Sequence, residues 1–197
     1  MSDALLVQRA FLGDGMEKYL RLTRKRHQKY AELHGFDFSS ALIKVAEADK
    51  YLFWWKVEIL QRALERGYQR VVWLDADAYI ADLSVDLREA CPADGIGVVQ
   101  FTTLYTHWNV GVMYLGNGER VREFMQVWLA KREDEKNEQE IFNQICDGIV
   151  MGLPCKWNYT LNRHTGEERP VVRGFHGQGT RDERYLLMRA ALEREEQ

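Results

Sequence analysis

The chain predicts an α/β layered fold in one domain, and three observations carry that expectation. Apolar runs alternate with stretches of helical periodicity, the run at residues 69–74 lacks any polar alternation, and glycines stand at the joints. At 197 residues the chain fits a single domain over 1–197 with one buried core. Hydrophobic residues at 46% against 29% charged exclude a disordered or low-complexity chain.

Ala4–Phe11 reads as a buried strand, broken by Gly13 and Gly15 before a helix over Met16–His34. On that helix Met16, Tyr19, Leu20, Thr23, His27, Tyr30, Ala31 and His34 recur at helical spacing. A second helix is expected over Lys50–Arg66, with Phe53, Val57, Leu60 and Leu64 as its stripe and Gly67 as its stop. The strand Gln69–Leu74 follows and runs into Asp75-Ala76-Asp77. Ile96–Phe101, Val110–Leu115 and Val171–Phe175 are the further strands, and Gly118–Arg132 and Glu135–Asp147 the further helices. In such alternating folds ligands sit beyond the carboxyl ends of the strands.

A net charge of −3 excludes a globally basic polyanion binder. No apolar run approaches the ~20 residues of a membrane span, and the N-terminus lacks a signal-peptide pattern, so a cytoplasmic protein without a span is expected. Cys91, Cys146 and Cys155 are odd in number and form no C-x-x-C pair, which argues against a zinc knuckle or a disulfide framework.

Asp75 and Asp77 stand two apart after a strand, so an extended backbone projects both carboxylates to one side. Such a pair either holds a hard divalent cation whose shell a diphosphate completes, or caps a turn. Lys56 falls on the stripe of Leu52, Ile59 and Ala63, where it either meets an anion or snorkels over apolar surface. Asn109-Val110-Gly111-Val112 reads either as a strand that a ligand lies against or as an ordinary buried strand. His176 follows a strand inside a glycine-rich turn; it is either a third metal ligand or a hydrogen-bonded histidine, and the turn with Arg181 could take a diphosphate. Glu138-Gln139-Glu140 alone reads as a solvated helix start.

In this order the segments resemble the GT-A glycosyltransferases, in particular the retaining group of glycogenin, the lipooligosaccharide galactosyltransferases and the fungal and plant α-galactosyl- and α-xylosyltransferases. Trp73-Leu74-Asp75-Ala76-Asp77-Ala78 is similar to the family's D-x-D strand, His34-Gly35-Phe36-Asp37-Phe38 to the start of its second strand, and Trp55-Lys56-Val57 to the helix before the metal motif. Asn109-Val110-Gly111-Val112 resembles the N-x-G strand along the donor sugar, Glu138-Gln139-Glu140 stands where Asp-Gln-Asp is common, and Trp157-Asn158-Tyr159 resembles the W-N element. His176 resembles the late metal-binding histidine, with Arg181 in place of the family's loop lysine.

The resemblance implies a single-domain, Rossmann-like GT-A fold of three layers with a mostly parallel central sheet. It implies transfer of a hexose or pentose from a nucleotide-diphosphate sugar, UDP-sugar favoured, to an acceptor hydroxyl with retention of configuration. Mn²⁺ or Mg²⁺ is then held by Asp75, Asp77 and His176. The donor is then expected against Lys56, Asp75, Ala76, Asn109, Val110, Gly179 and Arg181, with Gln139 or Glu138 stabilising the reacting centre; Arg9 and Phe11, at the end of the first strand, are expected to read its base but match no motif of the family. The acceptor is a glycan or, because Arg21–Lys29 carries five basic residues in nine, a hydroxymethylated base in DNA.

Two rival readings stand beside it. A haloacid-dehalogenase-type phosphatase also places D-x-D after a strand, but Tyr79 stands where that family has Thr or Val, and no downstream acidic pair is evident. A nucleic-acid-binding module without catalysis would use the Arg21–Lys29 face.

Overall fold

The computed structural model describes residues 2–12, 15–44, 52–102, 105–133, 136–160 and 169–195. Gly13 and the expected helix starts at Lys50 and Glu135 lie outside them.

Strand β1 (Ala4–Phe11) occupies the range its apolar run predicts. Its alternation sends Leu5 and Val7 to one face and Ala4, Leu6 and Ala10 to the other, so it sits between two layers. Helix α1 (Glu17–His34) buries Tyr19, Leu20, Thr23, His27, Tyr30 and Ala31, the stripe its periodicity marks. It stops at Gly35, whose left-handed φ of 69° lets its N–H reach back to Ala31. Strand β2 (Asp37–Ile43) then runs parallel to β1.

Helix α2 (Trp55–Glu65) begins later than its pattern suggests, after a 3-10 turn at Leu52–Trp54. That turn takes Phe53 out of the stripe: the ring is 56% exposed, while Val57, Leu60 and Leu64 are buried. Gly67, with a φ of 91°, follows the last turn. Strand β3 (Arg70–Asp75) pairs parallel with β1 and places Arg9 opposite Asp75. The short β4 (Ala78–Ile80) leaves the main sheet after Asp75-Ala76-Asp77. Strands β5 (Ile96–Thr102) and β6 (Tyr105–Gly116), helices α3 (Glu119–Ala130) and α4 (Glu138–Ile145), and β7 (Val150–Gly152) complete the core. Two short strands, β8 (Tyr159–Thr160) and β9 (Val172–Gly174), lead to helix α5 (Arg181–Glu195).

The main sheet has the order β2-β1-β3-β6-β5-β7, and β6 alone among its strands runs against the others. The mostly parallel sheet implied by the resemblance is therefore present. One face packs on α2, α3 and α4 around Val57, Met113, Met125 and Trp128. The other packs on α1 and on a small sheet of order β4-β9-β8. Near the carboxyl ends of β1 and β3, a third cluster of Tyr19, Tyr79, Phe175 and Met188 joins α1 to α5.

Helix α5, β4, β7 and β8 were not among the elements expected. Strands of two or three residues carry no readable period, and α5 is charged on most sides, burying only Met188, Ala191 and Leu192. No described helix is long and apolar enough to cross a membrane. Cys91 and Cys146 are buried and Cys155 half-buried, and none of the three is in a disulfide. The basic face of α1 is smaller than its sequence suggests, because Arg26 turns inward and donates to the carbonyls of Ile80 and Ala81 at 2.6 Å each.

Candidate active site

A cleft of ≈ 390 Å³ opens at the carboxyl ends of β1 and β3. Arg9, Phe11, Lys56, Asp75, Ala76, Asp77, Glu138, Gln139, His176 and Arg181 line it, bringing together five segments far apart in sequence. Asn109 and Val110 lie behind its wall, both buried, and Gly179 lies outside it, beside Glu183.

Asp77 is nearly buried and both its oxygens are engaged: Oδ1 lies 3.0 Å from His176 Nδ1 and Oδ2 2.8 Å from Arg184 Nη1. Burial alone would raise this carboxyl's pKa, but His176 and then Arg184 outweigh it and hold the pKa below its usual value. For His176 burial alone would lower the pKa, and Asp77 reverses that to raise it. Asp75 is fixed through Oδ1, which accepts from Trp73 Nε1 at 2.6 Å and lies 3.2 Å from Lys56 Nζ.

The same Lys56 ammonium meets Glu138 Oε1 and the Val110 carbonyl, each at 3.1 Å. Burial would lower its pKa, yet Asp75 and then Glu138 keep it raised, so the lysine is an interior cation between two carboxylates. The anion-meeting alternative for Lys56 is thus the one realised. Gln139 Oε1 accepts from Val110 N–H at 3.2 Å, which ties the start of α4 to β6. The side chain of Asn109 accepts from Gly111 N–H at 2.8 Å within its own strand. Arg9 extends along β2, donating to the Ser39 carbonyl and, at 2.6 Å, to Ser39 Oγ.

Oxygens of Asp75 and Asp77 and a ring nitrogen of His176 lie within 4.8 Å of one another. The donor set, two carboxylates and an imidazole, suits a hard or borderline divalent cation. The ring nitrogen that faces Asp77 is Nδ1, at 3.0 Å from Oδ1, while Nε2 is buried beside Gly111 and Gly174 without a hydrogen-bond partner among the described residues. Two glycines make room for this ring. A Cβ on Gly111 would stand 2.5 Å from His176 Cε1, and one on Gly174 would stand 2.7 Å from Nε2.

Arg184 is the functional candidate that sequence reasoning missed, because it rides on the unexpected α5. A readable signal existed in Thr180-Arg181-Asp182-Glu183, a capping-box pattern. Thr180 N–H donates to Glu183 Oε2 at 2.7 Å, and Glu183 N–H returns to Thr180 Oγ1 at 3.3 Å. From that start Arg181 and Arg184 fall one turn apart, both facing the cleft. Met16, Phe53 and Trp73 also line it and were not expected there.

Residues 17–162 match the family described as nucleotide-diphospho-sugar transferase. The chain belongs to that family. No curated protein matches this transferase in sequence. Among solved structures it is similar to a glycosyltransferase involved in the glycosylation of the major capsid of PBCV-1, with a TM-score of 0.75, 17% identity, and 95% of this chain and 98% of that one covered. It is also similar to the glycosyltransferase GlyE of Streptococcus pneumoniae TIGR4, with a TM-score of 0.60, 12% identity, and 90% and 55% covered. Mouse xyloside xylosyltransferase 1 follows with a TM-score of 0.55, 12% identity, and 88% and 98% covered. At these identities the likeness is one of fold, and the fold is that of glycosyltransferases. The phosphatase and the non-catalytic nucleic-acid module are set aside with the family assignment.

Proposed function

We propose that the transferase moves a hexose or pentose from a UDP-sugar to a glycan hydroxyl, with retention, using Mn²⁺ or Mg²⁺ held by Asp75, Asp77 and His176. The observation that carries this reading is the convergence of those three ligands on a cleft also lined by Lys56, Arg9, Arg181 and Arg184. A divalent ion there supplies Lewis-acid stabilisation of the departing nucleoside diphosphate. Arg181 and Arg184, which line the cleft, are the residues we assign to charge on the diphosphate. The uridine nucleotide rests on the likeness to the glycogenin group, and Arg9 and Phe11, at the end of β1, are the side chains assigned to its base.

Retention is supported by how the carboxylates are occupied. Asp75, Asp77 and Glu138, the acids lining the cleft among the described residues, are each bound to a cation. Inversion needs a free base to take the acceptor proton, whereas retention lets the leaving phosphate oxygen take it. Glu138, held by Lys56, acts as a charge partner, and Gln139 at the cleft wall is the residue assigned to stabilising the reacting sugar.

The test is a panel of nucleotide sugars incubated with protein and Mn²⁺, with released nucleotide quantified and the product anomer read by NMR. UDP release with an α-linked product from an α-linked donor is expected. Release of a different nucleotide alone, or a product of inverted configuration, would overturn the corresponding part of the reading.

A further inference from the structure

Gln8 interrupts the apolar face of β1, standing between Leu6 and Ala10 where a fully buried aliphatic residue would pack. Facing it from α1 are Thr23 and His27, and all three side chains have no exposed surface. A buried polar cluster of this kind is costly unless satisfied, and this one is satisfied throughout.

Its hydrogen bonds end on the segment that carries the two aspartates. Gln8 Nε2 donates to the carbonyl of Asp75 at 3.3 Å and to that of Ala78 at 3.1 Å, one on each side of Ala76-Asp77. Gln8 Oε1 accepts from Thr23 Oγ1 at 3.0 Å, a hydroxyl it shares with the Tyr19 carbonyl at 3.2 Å, and meets His27 Nδ1 at 2.9 Å. His27 Nε2 in turn accepts from Ile80 N–H at 3.2 Å, which makes Nδ1 the protonated nitrogen and the donor to Gln8. The amide has one workable orientation, since the flipped form would set its oxygen against two carbonyl oxygens.

The hold extends to the third ligand. β4 pairs antiparallel with β9, Ala78 opposite Gly174 and Ile80 opposite Val172, and Phe175 N–H donates to the Asp77 carbonyl at 3.0 Å. Fixing Ala78 and Ile80 therefore also fixes the strand that delivers His176.

We propose that Gln8, backed by Thr23 and His27, is a positioning residue for the metal ligands. It braces the turn so that Asp75, Asp77 and His176 converge before any cation arrives. Asp75-Ala76-Asp77 is where the chain leaves the large sheet for the small one, and the Gln8 bonds add to the main-chain bond from Phe175 N–H to Asp77 there. The brace acts at the only point in that crossing where a side chain from β1 reaches both ends of the turn among the described residues. This inference rests on the reading that the three ligands hold a divalent ion.

The experiment measures Mn²⁺ binding to the full chain by electron paramagnetic resonance, with melting temperature recorded in parallel. Gln8→Leu removes both carbonyl bonds at similar volume and is expected to weaken Mn²⁺ binding about tenfold or more, as loss of groups supporting metal ligands does. Met125→Ala, a cavity in the opposite layer, provides the control: it lowers the melting temperature and is expected to leave Mn²⁺ affinity unchanged. Should Gln8→Leu fail to fold, Thr23→Val keeps β1 intact while removing one donor to Gln8, and is expected to weaken binding about threefold. Thr23→Ser, which keeps the hydroxyl, is expected to restore it. Wild-type affinity in Gln8→Leu or in Thr23→Val, or equal weakening in Met125→Ala, would overturn the brace while leaving the metal site standing. A wild-type protein that takes up no Mn²⁺ would sink both readings.

Discussion

Arg184 Nη1 and Asp77 Oδ2 lie 2.8 Å apart, joining the C-terminal helix to a carboxylate 107 residues earlier in the chain. The guanidinium neutralises a nearly buried acid that also serves as a candidate metal ligand, so in the metal-free protein it supplies charge that a cation would otherwise bring.

Replacing Arg184 by leucine is expected to destabilise the metal-free protein by about 1.5–3 kcal/mol, the range for a hydrogen bond to a charged partner. Mn²⁺ should recover more stability in this variant than in wild type, because the cation then meets an uncompensated carboxylate. Melting curves with and without Mn²⁺ decide it; equal metal-induced shifts in the two proteins would count against the pairing.

Lys56→Met leaves Asp75 and Glu138 facing each other without their shared cation. The expected cost is about 3–5 kcal/mol, as for breaking other buried ion pairs. Lys56→Arg should not restore it, since a planar fork cannot meet Asp75, Glu138 and the Val110 carbonyl as a compact ammonium does. Glu138→Gln, which keeps an acceptor for Lys56, should lose less stability than Glu138→Ala in urea unfolding.

His27 is neutral in the folded protein, its pKa lowered to about 3 mainly by burial and secondarily by Arg26. The unfolded chain binds its proton near pH 6.5, so the folded state is at full advantage above that pH. Between about 6.5 and 3 the unfolded state holds the extra proton, and stability should fall by up to about 1.4 kcal/mol per pH unit as pH drops. Unfolding free energies across this window, in wild type and His27→Leu, test the assignment; identical slopes would reject it.

Gly111→Ala drives a methyl to within 2.5 Å of His176 Cε1 and 3.0 Å of Asn109 Oδ1. The ring cannot retreat without leaving Asp77. Mn²⁺ affinity is expected to fall about tenfold, with a stability loss of about 1–3 kcal/mol for the overpacked strand. Calorimetric Mn²⁺ titration provides the measurement, and unchanged affinity would show that the glycine serves packing alone.

Asp75, Asp77 and His176 were visible as metal-ligand residue types on strand ends, and the structure brings them together. Lys56 was visible as a cation on a buried stripe, but not its bond to Glu138, since helix periodicity reports which face is buried and not which partner lies across the gap. Phe53 shows the reverse: its spacing fits the α2 stripe, yet a 3-10 turn presents it at the cleft. Arg184 escaped because α5 is held by few apolar residues, which leaves little hydrophobic pattern to read.

The amino-acid sequence by itself determined the layer alternation, the ranges of β1 and α1 to within a residue, and the chemistry available at the strand ends. Those properties follow from local periodicity and residue type. Only the tertiary structure decided which charges meet. Asp77 joins Arg184 across 107 positions and Lys56 joins Glu138 across 82, pairings set by how the strands order in the sheet and where α5 folds back. The same holds for Gln8, a polar residue in an apolar run whose purpose emerges only when β1 is laid beside β3 and the Asp75-Ala76-Asp77 turn comes within reach of its amide.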